Sequence, residues 1–430
     1  MTSEQARDML ELALSHSKAD AATVVLSGSR EASTRFANNA ITQNVAKADT
    51  TLTVEAAFDN RVGIARVNQL TPDQIAEAVK RAEEIARSAA PNTEYMPPIE
   101  PCSVPVVQAW DDTTAEAAPD VRARAIQSAI QIAEQEGVNS AGSFATESGF
   151  SALLNSRGMF AYHRRTDARF VCTAMTSNSS GWAERASVRL ADIDATEIAR
   201  MAVAKAQKSR DPREVEARPY TVILEPAAMA ELLAFFAWSL DAKAADEGRS
   251  ALSGKLGQPI GVPELTVLSD PAHPDCPGSP FIEDGMPTPT VRWIENGVLA
   301  NLSHSRYWAQ KSGRPFTGRP TNLIMEGTDV PVQRLIAQTS YGLLITRFWY
   351  IRFVDPMKLL LTGMTRDGVF EIRDGEIVGG VKNMRFNESP LRMFQNIVDI
   401  GAPEPAAAYG YGVVPPVKVD GFTFSSGTAF

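Results

Sequence analysis

Residues Thr51–Phe58 set Leu52, Val54, Ala56 and Phe58 on one side of an extended chain, with threonines and Glu55 between them. That period of two belongs to a half-buried strand. Asp59-Asn60 turns the chain and Arg61–Val67 returns, which makes a hairpin. Thr71-Pro72-Asp73 then supplies an N-cap and a first-turn proline. Ile75, Ala76, Val79, Ala82 and Ile85 form the apolar stripe of a helix reaching roughly Ala89. A hairpin that feeds a helix must bury one sheet face beneath it, so the N-terminal region is committed to α/β packing.

The same order returns further on. Ala168–Met175, the polar turn Thr176–Ser180, Gly181–Leu190 and the helix start Asp194-Ala195-Thr196-Glu197-Ile198-Ala199 follow the plan of Thr51–Val67 and Asp73-Gln74-Ile75-Ala76, although the Asp-to-Ile spacing differs. The echo reads either as a duplicated ββα element or as reuse of a common motif.

With 430 residues the chain exceeds one ordinary core. We divide it into an N-terminal α/β domain over 1–215 and a β-rich domain over 216–430. Ala6, Met9, Leu10 and Ala13 mark an opening amphipathic helix, unlike a secretory leader, and a second helix falls at about Pro119–Gln135. Between them, Ala90–Val107 holds Pro91, Pro97, Pro98, Pro101 and Pro105 and reads as a linker crossing the surface. Beyond Val262 short strand-like runs dominate, and Glu295-Asn296-Gly297 and Arg373-Asp374-Gly375 are hairpin signals, since Asn-Gly and Asp-Gly accept positive φ. The fold class is therefore α+β, ending in a mostly antiparallel sheet or barrel-like domain.

A net charge of −9 argues against non-specific nucleic-acid binding. The densest basic run, His163-Arg164-Arg165, reads as a solvated strand face. Cys102, Cys172 and Cys276 are too far apart for a disulfide framework, no apolar stretch nears the ~20 residues of a bilayer span, and the expected compartment is the cytoplasm.

Chemistry is sparse. The histidines are His16, His163, His273 and His304, and no two stand at the spacing of a helical zinc clamp. Asp270, His273, Asp275, Cys276, Glu283 and Asp284 share a loop stiffened by prolines, where aspartates ordinarily close Asx turns. Gly248–Lys255 misses the phosphate-loop spacing and reads as a glycine turn. No G-x-S-x-G elbow occurs, and Phe348-Trp349-Tyr350 reads as core or interface packing.

From Tyr220 to Gly401 the order of segments resembles the TldD/PmbA family, long described as modulators of DNA gyrase and understood as a metallopeptidase system. The resemblance rests on Leu224-Glu225-Pro226, Gly248-Arg249-Ser250, Ser253-Gly254-Lys255-Leu256-Gly257, Phe281–Thr288, Trp293–Leu299 and Glu371–Ile377, and extends to Thr51–Arg66. In the TldD branch a helix carries His-Glu-x-x-x-His and a later cysteine completes a zinc site. The corresponding helix here is placed at Glu231–Leu240, with Ala234, Phe235 and Ser239 in the ligand and base positions. The resemblance thus implies the PmbA (TldE) branch: a non-catalytic subunit without metal or cofactor of its own, paired in the cytoplasm with a zinc-bearing TldD-like chain that acts on unstructured peptides. The alternative is a stand-alone homodimeric peptide-binding or regulatory protein without hydrolytic activity. No catalytic or metal residue is assigned. Glu283, Asp284, Thr288, Thr317 and Asn322, in polar Gly/Pro-shaped loops, are the candidates for lining a peptide cleft.

Overall fold

The structure is a computed structural model and describes residues 1–282, 284–407 and 412–428. Its first sheet has six antiparallel strands: β1 (Ala21–Ala37), β2 (Ala40–Phe58), β3 (Arg61–Val67), β4 (Asn139–Asn155), β5 (Phe160–Met175) and β6 (Ser180–Ser187). Their spatial order is β3-β2-β1-β4-β5-β6. Each half is a helix, three strands and a second helix: Ser3–Ser15 and Pro72–Ser88 bracket β1–β3, while Pro119–Gln135 and Ala195–Lys208 bracket β4–β6. The repeated unit is therefore larger than the ββα element legible in the sequence.

All four helices cover one face of this sheet. Val24, Leu26, Leu52 and Val54 meet Leu10, Ile75 and Val79 in one half, and Phe144, Phe170 and Cys172 meet Ile126, Ile198 and Ala202 in the other. Thr2 opens the first helix with a capping box, its hydroxyl accepting from the Gln5 amide while the Gln5 side chain accepts from the Thr2 amide.

The opposite face meets the C-terminal half. Leu153, Met159 and Ala161 pack on Phe281, and the Arg347 guanidinium lies 4.6 Å from the Trp182 ring centroid. Ile99 and Val104 of the proline-rich stretch join the first contact, so that segment packs as well as connects. Here the basic run departs from expectation. Arg164 is exposed over Trp110, but the mostly buried Arg165 donates 3.0 Å to the Pro277 carbonyl. Burial lowers the His163 pKa to about 4, with Arg165 adding to it.

Five strands, Pro219–Leu224, Tyr341–Asp355, Leu360–Arg373, Met384–Glu388 and Val417–Gly427, close into a barrel, because Tyr341–Asp355 pairs with both Pro219–Leu224 and Leu360–Arg373. Closure leaves these strands no open sheet edge along their common length. Phe348, Phe386 and Phe422 fill the interior, with ring centroids 4.6–5.7 Å apart. Trp349 and Tyr350, beside Phe348 in sequence, are exposed instead. A second six-stranded sheet runs from Val298–Leu299 at one edge to Glu404–Ala406 at the other. Both expected hairpin turns have positive φ at Asn296, Gly297, Asp374 and Gly375.

Candidate functional site

The helix Pro226–Trp238 lies against the barrel and the second sheet. It begins earlier than the Glu231–Leu240 placement and stops at Trp238, with Ser239 as its cap and Leu240 beyond it. Its sequence is apolar almost all round, as a helix enclosed on several sides requires. Phe236 packs edge-on to Phe394 at 5.3 Å, and Phe235 meets Trp238 at 4.8 Å and Phe353 at 5.1 Å.

Glu231 is the one ionisable residue on this helix. Its Oε2 accepts from the Phe348 amide at 2.8 Å, tying the helix to the barrel wall. Burial pushes its carboxyl up to about 8, opposed by the Phe348 hydrogen bond and Arg347 and reinforced by Glu184.

Ala230, Ala234 and Ala237 recur at helical spacing and, with Trp238, wall a cavity of about 450 Å³. Ala406 and Val414 complete a buried apolar floor. Asp241 and Arg319 stand exposed at its rim. Two polar side chains deeper in are already engaged, whereas a third, Thr321, holds a buried hydroxyl without a hydrogen-bond partner among the described residues. Ser303 Oγ donates to the Gly318 carbonyl at 2.7 Å. Asn322 Nδ2 donates to the carbonyls of Asp270 and Cys276, both at 2.6 Å, and its Oδ1 accepts from the Asp270 amide at 3.1 Å.

The expected cleft residues do not converge. Asn322 lines this cavity. Thr317 instead locks the loop around His304: its hydroxyl accepts from the His304 amide at 2.8 Å and donates to the Leu302 carbonyl at 2.7 Å. Asp284 accepts from the Met286 amide and pairs with Arg306 at 3.2 Å, in a loop packed on the N-terminal sheet through Gly285. Thr288 is 4 % exposed and its hydroxyl has no hydrogen-bond partner among the described residues. Glu283 lies outside the described residues. The alanines and Trp238 escaped sequence reasoning because alanine is simply a good helix former; the available signal was small residues at i, i+4 and i+7 of an otherwise bulky helix.

The three positions that the resemblance implies for zinc ligands and base point apart. Ala234 faces the cavity, Phe235 packs against Trp238 and Phe353, and Ser239 caps the helix with its hydroxyl bonded to the Phe235 carbonyl at 3.0 Å. A methyl and a benzyl group have no lone pair for a metal, so the residues present do not fit zinc here. Among the described residues no three His, Cys, Asp or Glu side chains gather as a metal cluster elsewhere. The Asp270 loop follows turn chemistry: Asp270 Oδ1 accepts from the Ala272 amide at 3.0 Å.

Comparison with known proteins covers nearly the whole chain. Residues 22–86, 66–210 and 217–426 match, in order, domain 1, the central domain and the C-terminal domain of the PmbA/TldA metallopeptidases. Metalloprotease PmbA of Escherichia coli O157:H7 is 24% identical over 418 residues, spanning 91% of this chain and 89% of that protein. A metalloprotease of Methanothermobacter thermautotrophicus is 27% identical over 173 residues, 36% of this chain and 37% of that protein. The crystal structure of TldE from Thermococcus kodakarensis superposes with a TM-score of 0.88 at 18% identity, covering 99% of this chain and all of that one.

Proposed function

This chain belongs to the TldD/PmbA metallopeptidase family, and we propose that it serves there as a zinc-less subunit, pairing in the cytoplasm with a zinc-bearing family member that hydrolyses unstructured peptides. The observation that carries the reading is on the helix Pro226–Trp238 and its cap: Ala234, Phe235 and Ser239 hold the positions that the family resemblance implies for the zinc ligands and base, and none of them offers an imidazole or a carboxylate. The cavity itself remains, which suits a chain that still handles peptide while hydrolysis is done elsewhere. Among the described residues no helix is long and apolar enough to cross a membrane. The test is to purify the chain alone and together with a zinc-bearing family member from the same source, and to measure zinc content and cleavage of an unfolded protein such as casein. The expected result is zinc and cleavage only in the co-purified pair. Stoichiometric zinc with cleavage by the isolated chain would falsify it.

The rival, a self-associating peptide-binding or regulatory protein, draws on the exposed apolar residues Trp349, Tyr350, Phe353 and Met357 of the strand pair Tyr341–Arg373. Failure to capture a zinc-bearing homologue, with a stable homodimer in sedimentation, decides for it.

A further inference from the structure

We propose that the cavity beneath Trp238 is a specificity pocket for one large apolar side chain of a bound peptide, of the phenylalanine, leucine or methionine class. The inference rests on the reading above only in taking peptide as the ligand; it does not depend on zinc or on a partner.

Size and chemistry support it together. A volume of about 450 Å³ is near the small end of ligand pockets, roughly 300–1,000 Å³, which suits a side chain with its adjoining backbone better than a folded partner. The floor is built from Ala230, Ala234, Ala406 and Val414, all buried. The amide of Asn322 and the hydroxyl of Ser303 spend their hydrogen bonds on the protein backbone. Thr321 adds a buried hydroxyl without a hydrogen-bond partner among the described residues, but the floor is methyl and isopropyl groups, against which a polar side chain would lose water, whereas an apolar one is favoured simply by leaving water. Trp238, 55 % exposed, stands in the wall and adds an aromatic surface for the occupant to pack on. At the mouth, the Asp241 carboxylate accepts from the Ala244 amide through Oδ1 and keeps a second oxygen as an acceptor for the peptide groups that flank the anchor.

Three end-blocked pentapeptides, Ala-Ala-X-Ala-Ala with X as Phe, Ala or Glu, test the pocket. Binding to the full chain is read from tryptophan fluorescence, with W238F identifying the part of the signal due to Trp238, and from calorimetry as a check. The Phe peptide is expected to bind at least tenfold more tightly than the other two, the scale on which an apolar pocket discriminates. Filling the pocket with A237L or A234L should reduce the Phe peptide's affinity at least tenfold. Ala237 is only partly buried, so A237L retains the fold, as circular dichroism and thermal unfolding will report. Equal binding of the three peptides, no binding of any, or unchanged affinity in a folded A237L variant overturns the pocket. A chain that proves to carry zinc and cleave casein alone would overturn the zinc-less reading and leave the peptide preference intact, so the two failures are distinguishable.

Discussion

Gly63 and Gly181 hold the same place in the two halves of the N-terminal sheet. A Cβ on Gly63 would stand 2.1 Å from the Ala82 carbonyl oxygen and 2.3 Å from the Ala86 nitrogen. On Gly181 it would stand 2.2 Å from the Ala202 oxygen and 2.3 Å from the Ala206 nitrogen. Each half lays a helix directly onto the backbone of a strand, in the same geometry, and the missing side chain is what permits the approach. The obstructing atoms are backbone, so the helix must move as a unit to admit a methyl group. G63A and G181A should each destabilise the chain by about 1–3 kcal/mol, the usual cost of overpacking. Urea denaturation measures this, and wild-type stability in both variants would remove the close approach as a packing constraint.

Two of the expected cleft residues separate cleanly by their hydrogen bonds. Asn322 holds the carbonyls of Asp270 and Cys276 and the Asp270 amide, all from one buried side chain. N322A leaves those groups without that partner and should cost about 3 kcal/mol, within the range for unpaired buried polar groups. Among the described residues the Thr288 hydroxyl has no partner to lose. T288V should therefore stay within about 1 kcal/mol of wild type. Comparable losses in both variants, measured by denaturant unfolding, would contradict the distinction.

Much of the architecture was legible from short-range pattern. The helices Pro72–Ser88 and Pro119–Gln135 announce themselves by a first-turn proline and an apolar stripe, and the hairpins at Asn296 and Asp374 by their turn residues. The strands were less legible. Ala22–Leu26 gives a clear strand signal, yet β1 continues to Ala37 through Ser27-Gly28-Ser29-Arg30-Glu31, because β2 and β4 supply hydrogen bonds on both sides irrespective of side chain. The last barrel strand, Val417–Gly427, was missed; its role depends on pairings with segments nearly 200 residues away. The site was legible only through the family resemblance. The resemblance locates a helix with Ala234, Phe235 and Ser239 at the expected ligand and base positions, but the cavity exists because residues 230–238 and 319–323 meet Ala406, Gly412 and Val414, and no local spacing encodes that meeting.

Glu231 gives the chain a pH-dependent tie between helix and barrel. Its folded pKa of about 8 exceeds the ordinary carboxyl value of 4.5, chiefly through burial. The folded state therefore holds a proton that the unfolded state releases. Its stabilising contribution is full below about pH 4.5 and declines as pH rises through 8. E231Q keeps an oxygen for the Phe348 amide but does not ionise. Its stability relative to wild type should rise between pH 5 and pH 8.5, measured by urea unfolding at both. A difference independent of pH would show that Glu231 does not titrate in this window.

Glu31, Glu147 and Asp167 are direct cross-strand neighbours on β1, β4 and β5. Like charges so placed repel, and the guanidiniums of Arg165 and Arg169 lie near enough to offset part of that repulsion. Burial raises the Asp167 pKa from 3.8 to about 6, with Glu147 adding to the rise while Arg165 and Arg169 oppose it. The Glu147 carboxyl is raised too, first by burial and then by Glu31. A raised carboxyl favours the folded state fully below about pH 4, and that benefit fades as pH climbs past 6. D167N removes this titration. Its stability relative to wild type should therefore improve from pH 4 to pH 7, even if losing a partner of Arg165 lowers both values. Unfolding midpoints at pH 4.5 and 7.5 decide the matter: a constant offset between variant and wild type would mean that the carboxylate row is relieved by something other than a proton on Asp167.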